Sequence, residues 1–215
     1  QELMRNPHYT QVLCSLLANG KRDQLAKSVM AGIINHIVAN QNVSINYNVE
    51  DILSVLLEKY FDITWGILAN AMSSEKDEEG QFSKLYWVLG SMSIHNKFPS
   101  LIFKKEHEQA LLDWCAKNPD INAYRLMSIA PIQNGDNFSD IVIQIINLYG
   151  NRNFVLTALE DKLGSFASTG SALPIYDSRI ELTETLVNHQ LPEVSAWATL
   201  QVEKLKQARE KTLDR

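Results

Sequence analysis

Apolar positions along the chain recur at helical rather than strand spacing. Tyr9, Val12, Leu13, Leu16 and Leu17 fall at i, i+3, i+4, i+7 and i+8, one face of a helix that Asn19-Gly20 would end. A wider stripe of Leu25, Val29, Met30, Ile33, Ile34, Ile37 and Val38 predicts a helix over about 23–40. Asn48 is placed to cap a third helix carrying Val49, Ile52, Leu53, Leu56, Leu57 and Tyr60, and Asp62 to cap a short fourth through Ile63, Ile67, Leu68 and Met72. Residues 73–80 are polar, acidic and aperiodic, an exposed loop, after which Phe82, Leu85, Tyr86 and Leu89 resume the helical period.

The second half continues the pattern. An irregular stretch over about 93–105, with Pro99 in it, precedes a helix carrying Ala110, Leu111, Trp114 and Cys115. Asn118-Pro119 is a start signal, because Pro at the first helical position gives up no needed hydrogen bond. That helix holds Ile121, Tyr124, Arg125 and Met127 and stops near Pro131. After the turn-forming Asn134-Gly-Asp-Asn137, Ser139 is placed to cap a helix with Ile141, Val142, Ile145, Ile146 and Tyr149, closed by Gly150. Asn151 would cap the next, through Val155, Leu156, Leu159 and Leu163, with Gly164 as a left-handed stop. A small-residue loop over 164–174 leads to two more helices, about 176–189 and from Pro192 to near the C-terminus. β-branched residues fall within helical period, so no strand is required and the class is all-α.

Composition sharpens this picture. The 215 residues are 45% hydrophobic and 21% charged, enough to bury a core, and nine Gly with six Pro are too few for an all-β chain of many tight turns. Twenty Lys and Arg against 25 Asp and Glu leave a net charge of −5, which opposes a general nucleic-acid clamp while leaving room for a local basic stripe. Cys14 and Cys115 stand a hundred residues apart beside Leu13 and Trp114, outside any C-x-x-C unit, and read as reduced, mostly buried thiols in a reducing, cytoplasmic compartment. No apolar run approaches a membrane span and no signal peptide opens the chain. Gln1 in the place of an initiator Met suggests a trimmed, processed or partial chain.

The helices also repeat as pairs. Asp62-Ile63, Asp120-Ile121, Phe154-Val155 and Glu193-Val194 each open the second helix of a pair, with steps of 34 residues from Ile121 to Val155 and 39 from Val155 to Val194. The 58 residues from Ile63 to Ile121 require the two irregular loops as insertions. The last unit, from Arg179-Ile-Glu-Leu through Leu191-Pro-Glu-Val to Leu205 with Ala198 inside it, resembles a HEAT repeat. In that repeat an apolar first helix ends in a polar turn, a second opens with Pro-x-Val, and a small residue lets neighbouring helices approach. The resemblance implies a right-handed α-α superhelix, a HEAT or armadillo-like solenoid, of about five helix pairs forming one domain over 1–215. The polar tail with Glu203, Lys204, Lys206, Arg209, Glu210 and Lys211 suits a terminal capping helix. The last 45 or so residues also resemble the C-terminal end of long, HEAT-rich bacterial proteins, some of which act in phage defence behind an NTPase or NAD-consuming effector.

Reactive constellations are weak. The five histidines make no H-E-x-x-H and no i, i+4 pair, so no metal site is expected; His36 reads as structural and Glu106-His107-Glu108 as a solvated first helical turn. The loop around Ser165, Ser168, Thr169 and Ser171 has neither the preceding strand nor the following Lys of a phosphate loop, and no serine sits in G-x-S-x-G. Trp65, Trp87, Trp114 and Trp197 lie near apolar stripes and read as core. Asp113-Trp114 resembles the tryptophan and aspartate of the HEAT-like alkylpurine DNA glycosylases, the alternative enzymatic reading, but those enzymes resemble a basic cradle and this chain is acidic.

The expected function is therefore a non-catalytic protein-interaction, scaffold or sensor module of a larger bacterial protein, without cofactor, nucleic acid or membrane. Its partner would be another protein or other domains of the parent chain. Stacked pairs expose a concave surface lined by their second helices, which places Asn122 and Arg125, and Thr157, Glu160 and Asp161, on the candidate binding face.

Overall fold

The computed structural model describes residues 7–39, 47–73, 84–86, 89, 98–165 and 171–213. Its backbone is mostly helical, and contacts gather into two compact units, Gln1–Ala110 and Leu111–Arg215. The expected loop over 74–80, Phe82, Trp87 and 166–170 of the small-residue loop lie outside the described residues.

The first unit holds α1 (Pro7–Ala18), α2 (Asp23–Ala39), α3 (Tyr47–Lys59), α4 (Phe61–Met72) and the short α5 (Phe98–Ile102), with a 3-10 turn at Lys105–His107. Each helix packs mainly on its next-but-one neighbour, α1 on α3 and α2 on α4, and α5 lies against α3. α1 is turned by one residue from the expected face. Tyr9 and Val12 are 50% and 46% exposed, while Thr10 and Leu17 are buried and Leu13 and Cys14 half-buried. Leu16 is half-buried as well, so the inner side of α1 runs over 10, 13, 14, 16 and 17 and leaves out 9 and 12. Gly20 stops α1 as expected, with φ of +65° and its N–H on the Leu17 carbonyl at 3.1 Å. The Tyr60 hydroxyl pins this corner by donating to the Leu17 carbonyl at 3.0 Å and accepting the Arg22 N–H at 3.2 Å. Thr64 donates to the Leu56 carbonyl at 3.1 Å and ties α4 to α3. Asp62 sits inside the first turn of α4, whose N-cap is Tyr60, because the helix begins a residue earlier than its polar cap candidate.

The stretch expected to be irregular around Pro99 contains α5 and the 3-10 turn, in which Lys105 and Glu106 are exposed and His107 is half-buried. His107 stacks on Phe61 with centroids 3.4 Å apart and planes 8° from parallel, and its Nδ1 lies 3.1 Å from the Leu101 carbonyl.

α6 (Glu108–Lys117) leads into the second unit, with α7 (Pro119–Ile129), α8 (Asp140–Tyr149), α9 (Asn153–Gly164), α10 (Leu173–Glu184) and α11 (Pro192–Leu213). α7 packs on α9, α9 reaches α11, and α10 pairs with α11. Val155, Leu159, Ile145, Ile146, Val194 and Leu205 are all buried, as their periodicity predicts. Between α7 and α8 stands a two-residue hairpin, Gln133–Asn134 against Asn137–Phe138, where no strand was required. Its loop puts Gly135 at the first central position with φ of +61°, the place a type II′ turn reserves for glycine.

Several caps differ from expectation. Ser139 is the N-cap of α8, but its hydroxyl donates to the Pro131 carbonyl at 2.6 Å and closes the base of the hairpin instead. Arg152, not Asn151, is the N-cap of α9, and Gly164 is its last helical residue, without positive φ. Asn118 is the N-cap of α7 without a side-chain cap bond, whereas Pro119 stands at the helix start as predicted.

Gly150 is required by packing rather than by φ. A Cβ there would lie 2.5 Å from both the Ile146 carbonyl oxygen and Val194 Cγ2, so the end of α8 and the start of α11 touch through a missing side chain. Gly150→Ala is expected to cost about 1–3 kcal/mol by overpacking. Combined with Val194→Ala it should cost less than the sum of the two single changes in a denaturant double-mutant cycle. A wild-type midpoint for Gly150→Ala contradicts the close approach.

Candidate functional site

The polar face of α9 turns side chains outward. Val155, Leu156, Ala158, Leu159 and Leu163 are buried, while Thr157 and Asp161 are exposed and Glu160 is half-buried. Thr157 spends its hydroxyl on the Asn153 carbonyl one turn back, at 3.0 Å. Glu160 accepts from Lys204 of α11 at 2.7 Å, so it bridges neighbouring helices as well as facing solvent. Arg152 at the head of α9 pairs with Asp120 in the first turn of α7.

Asn122 and Arg125 do not join this face. They are 2% and 7% exposed, because α7 is covered around most of its circumference, with Ala123, Leu126, Met127, Ser128 and Ile129 buried as well. Asn122 Nδ2 donates to the Trp114 carbonyl at 2.8 Å, which joins α7 to α6. Their polarity placed them outside in the sequence, but on a helix buried all round polarity no longer marks the solvent side. Asp113 and Trp114 also part company: the aspartate is exposed and the tryptophan buried.

Lys204, Lys206 and Arg209 of α11 are held by carboxylates of other helices. Beside Lys204 with Glu160, Lys206 meets Glu184 at 3.0 Å and Arg209 meets Asp177 at 2.5 Å. The hydrogen bond to Glu184 holds the Lys206 ammonium above its ordinary pKa, and that to Asp177 does the same for Arg209. Three of the four basic side chains of α11 thus face a carboxylate. His189 occupies the turn before α11: its Nδ1 accepts the Leu191 N–H at 3.1 Å, so the proton lies on Nε2, which donates to Asn147 Oδ1 at 2.8 Å. Among the described residues no three His, Cys, Asp or Glu side chains converge as a metal site. Cys115 is buried and its thiol is pushed up to about 12 by desolvation.

The first unit holds a feature that periodicity did not announce, a cleft of about 400 Å³ between α1, α3 and α5. Cys14 comes from α1, Leu101 from α5, and Asp51, Ser54, Val55 and Glu58 from one side of α3. The positions 51, 54, 55 and 58 are a regular i, i+3, i+4, i+7 set, legible once α1 is known to present Cys14 rather than Val12. Burial, then the charge of Asp51, raises the Cys14 thiol. The chain matches no known protein family, no curated protein and no solved structure.

Burial also perturbs Lys162. Its Nζ donates to the Ser128 carbonyl in the last turn of α7 at 2.8 Å, and desolvation lowers it from 10.5 to about 8. At neutral pH it is charged in both folded and unfolded chains, so the burial penalty, on the order of 3 kcal/mol at most, is fully present. Between about pH 8 and 10.5 the unfolded chain holds the extra proton and stability rises with pH. The stability of wild type minus that of Lys162→Met, measured by urea unfolding, should therefore shift in favour of wild type across that window. A flat difference contradicts the burial of this ammonium.

Proposed function

We propose that the chain is a non-catalytic protein-interaction module built from stacked helix pairs of the HEAT type, acting within a larger bacterial protein in the cytoplasm. The observation that carries this reading is the next-but-one packing of α1 with α3 and α2 with α4, then of α7 with α9 and, more slightly, α9 with α11, beside the close adjacent packing of α10 on α11. Helix pairs stacked in register make those contacts, since first helices then lie beside first helices and second beside second. The resemblance of the last unit to a HEAT repeat supports it, with Val194 and Ala198 of α11 buried where the repeat calls for a β-branched and a small residue. A row of second helices offers its outward side to a partner, and on α9 that side carries Thr157 and Asp161.

The pairing of Lys204, Lys206 and Arg209 with carboxylates argues for a protein partner over nucleic acid, because phosphate binding needs cations free to displace the counterions condensed on the nucleic acid. The burial of Trp114 away from exposed Asp113 weighs against the glycosylase reading.

Replacing both Thr157 and Asp161 by Arg leaves helicity intact and shifts stability by no more than about 0.5 kcal/mol, as for other exposed positions. The same change is expected to abolish capture of the partner recovered by the wild-type chain and identified by mass spectrometry. Undiminished capture overturns this face. Release of a methylated purine from alkylated duplex DNA, which the proposal does not expect, overturns the function in favour of the repair enzyme.

A further inference from the structure

We propose that the Asn134-Gly135 step at the tip of the hairpin is a site of spontaneous covalent modification, where asparagine becomes aspartate or isoaspartate through a cyclic imide, and that Asn19-Gly20 is spared. Asn-Gly occurs twice in the chain, and both asparagines are exposed. Sequence and exposure rank the two steps alike, because in both the following residue has no Cβ to obstruct attack by its nitrogen. What separates them is the hold on that nitrogen.

At Gly20 the N–H donates to the Leu17 carbonyl at 3.1 Å. The same carbonyl accepts the Tyr60 hydroxyl at 3.0 Å, and that hydroxyl accepts the Arg22 N–H at 3.2 Å. Leu17 and Tyr60 are both buried, so freeing the Gly20 nitrogen means unpinning a buried corner. The Gly135 N–H donates no hydrogen bond among the described residues, as befits the first central position of a two-residue hairpin. The tip is held by exposed contacts alone, Gln133 Nε2 on the Gly135 carbonyl at 3.0 Å and the pairing of Asn134 with Asn137 at the end of a short ladder. Contacts of that kind open at little cost, which lets the Asn134 side chain fold back onto the main chain.

In the reaction the Gly135 nitrogen gives its proton to solvent base and bonds to Asn134 Cγ, while the Cγ–Nδ2 bond breaks and that nitrogen leaves as ammonia. Water then opens the imide. Cleavage of the new Cγ–N bond leaves aspartate in an ordinary main chain, whereas cleavage of the original peptide C–N bond routes the chain through Cβ and Cγ as isoaspartate. Nothing is oxidised or reduced. Either product sets a new carboxylate beside the exposed Asp136, and isoaspartate adds a main-chain atom that breaks the pairing of 134 with 137. Buried Phe138 and the Ser139 bond to the Pro131 carbonyl lie beyond the change, so its effect stays at the tip. The assignment is independent of the interaction-module reading.

The test incubates the full chain in mildly alkaline buffer and follows both steps by peptide mapping with tandem mass spectrometry. The peptide holding Asn134 is expected to gain about one dalton roughly tenfold faster than the peptide holding Asn19, and an isoaspartyl methyltransferase should label the first. In urea the two rates should converge, since unfolding frees both nitrogens. Asn134→Gln, whose longer side chain must close a larger ring, should stop the gain and leave melting as in wild type. Equal rates at the two steps in the folded chain, or a faster reaction at Asn19, overturn the assignment. So does an Asn134 that stays intact in the folded chain while a synthetic peptide of the same residues reacts.

Discussion

The second unit depends on the burial of α7. A helix of 11 residues is marginal in water by itself, and α7 persists because neighbours cover nearly all of its surface. α9 packs along it, Asn122 joins it to the Trp114 carbonyl of α6, and the Lys162 ammonium reaches its last turn at Ser128. The cost of that coverage is visible in the side chains it traps. Lys162 is held where its charge is poorly solvated, and it stays only because the free carbonyls at a helix C-terminus favour a cation. The close contact of Gly150 with Val194 serves the same arrangement, bringing the pair α10 and α11 against the end of α8.

This burial explains why the fold was legible and part of the site was not. Periodicity finds a helix whether it is half covered or wholly covered, so α2, α3, α8 and α9 follow directly from their apolar stripes, and Pro119 and Pro192 mark true starts. Which side faces out is a tertiary fact. On α9, with one polar face, Thr157 and Asp161 are outside as their polarity implies, whereas on α7 Asn122 and Arg125 are inside. On α1 the inner face follows Thr10 and Cys14 rather than Tyr9 and Val12, and the cleft beside Cys14 was hidden for that reason. The Ser139 cap failed because a tertiary partner takes its hydroxyl to close a hairpin, and the half-buried His107 stacks on Phe61 beside the exposed Glu106, a contact that charge pattern does not announce.

The chain places its charges unevenly. Its last helix carries most of its clustered cations, and three of them are spent on holding helices together. The carboxylates that remain outward on α3 and α9, at Asp51, Glu58 and Asp161, give two polar faces of negative sign.

Stacked helix pairs transmit disturbance mainly to their neighbours, whereas a single cooperative core shares it throughout. Hydrogen exchange followed by mass spectrometry on Leu205→Ala tests this most directly, because Leu205 is buried among α10 and α11 beside Ile180 and Val202. The account predicts a graded loss of protection, greatest in α10 and α11, smaller in α9 and least in α7. An equal loss across α7 to α11 would contradict it.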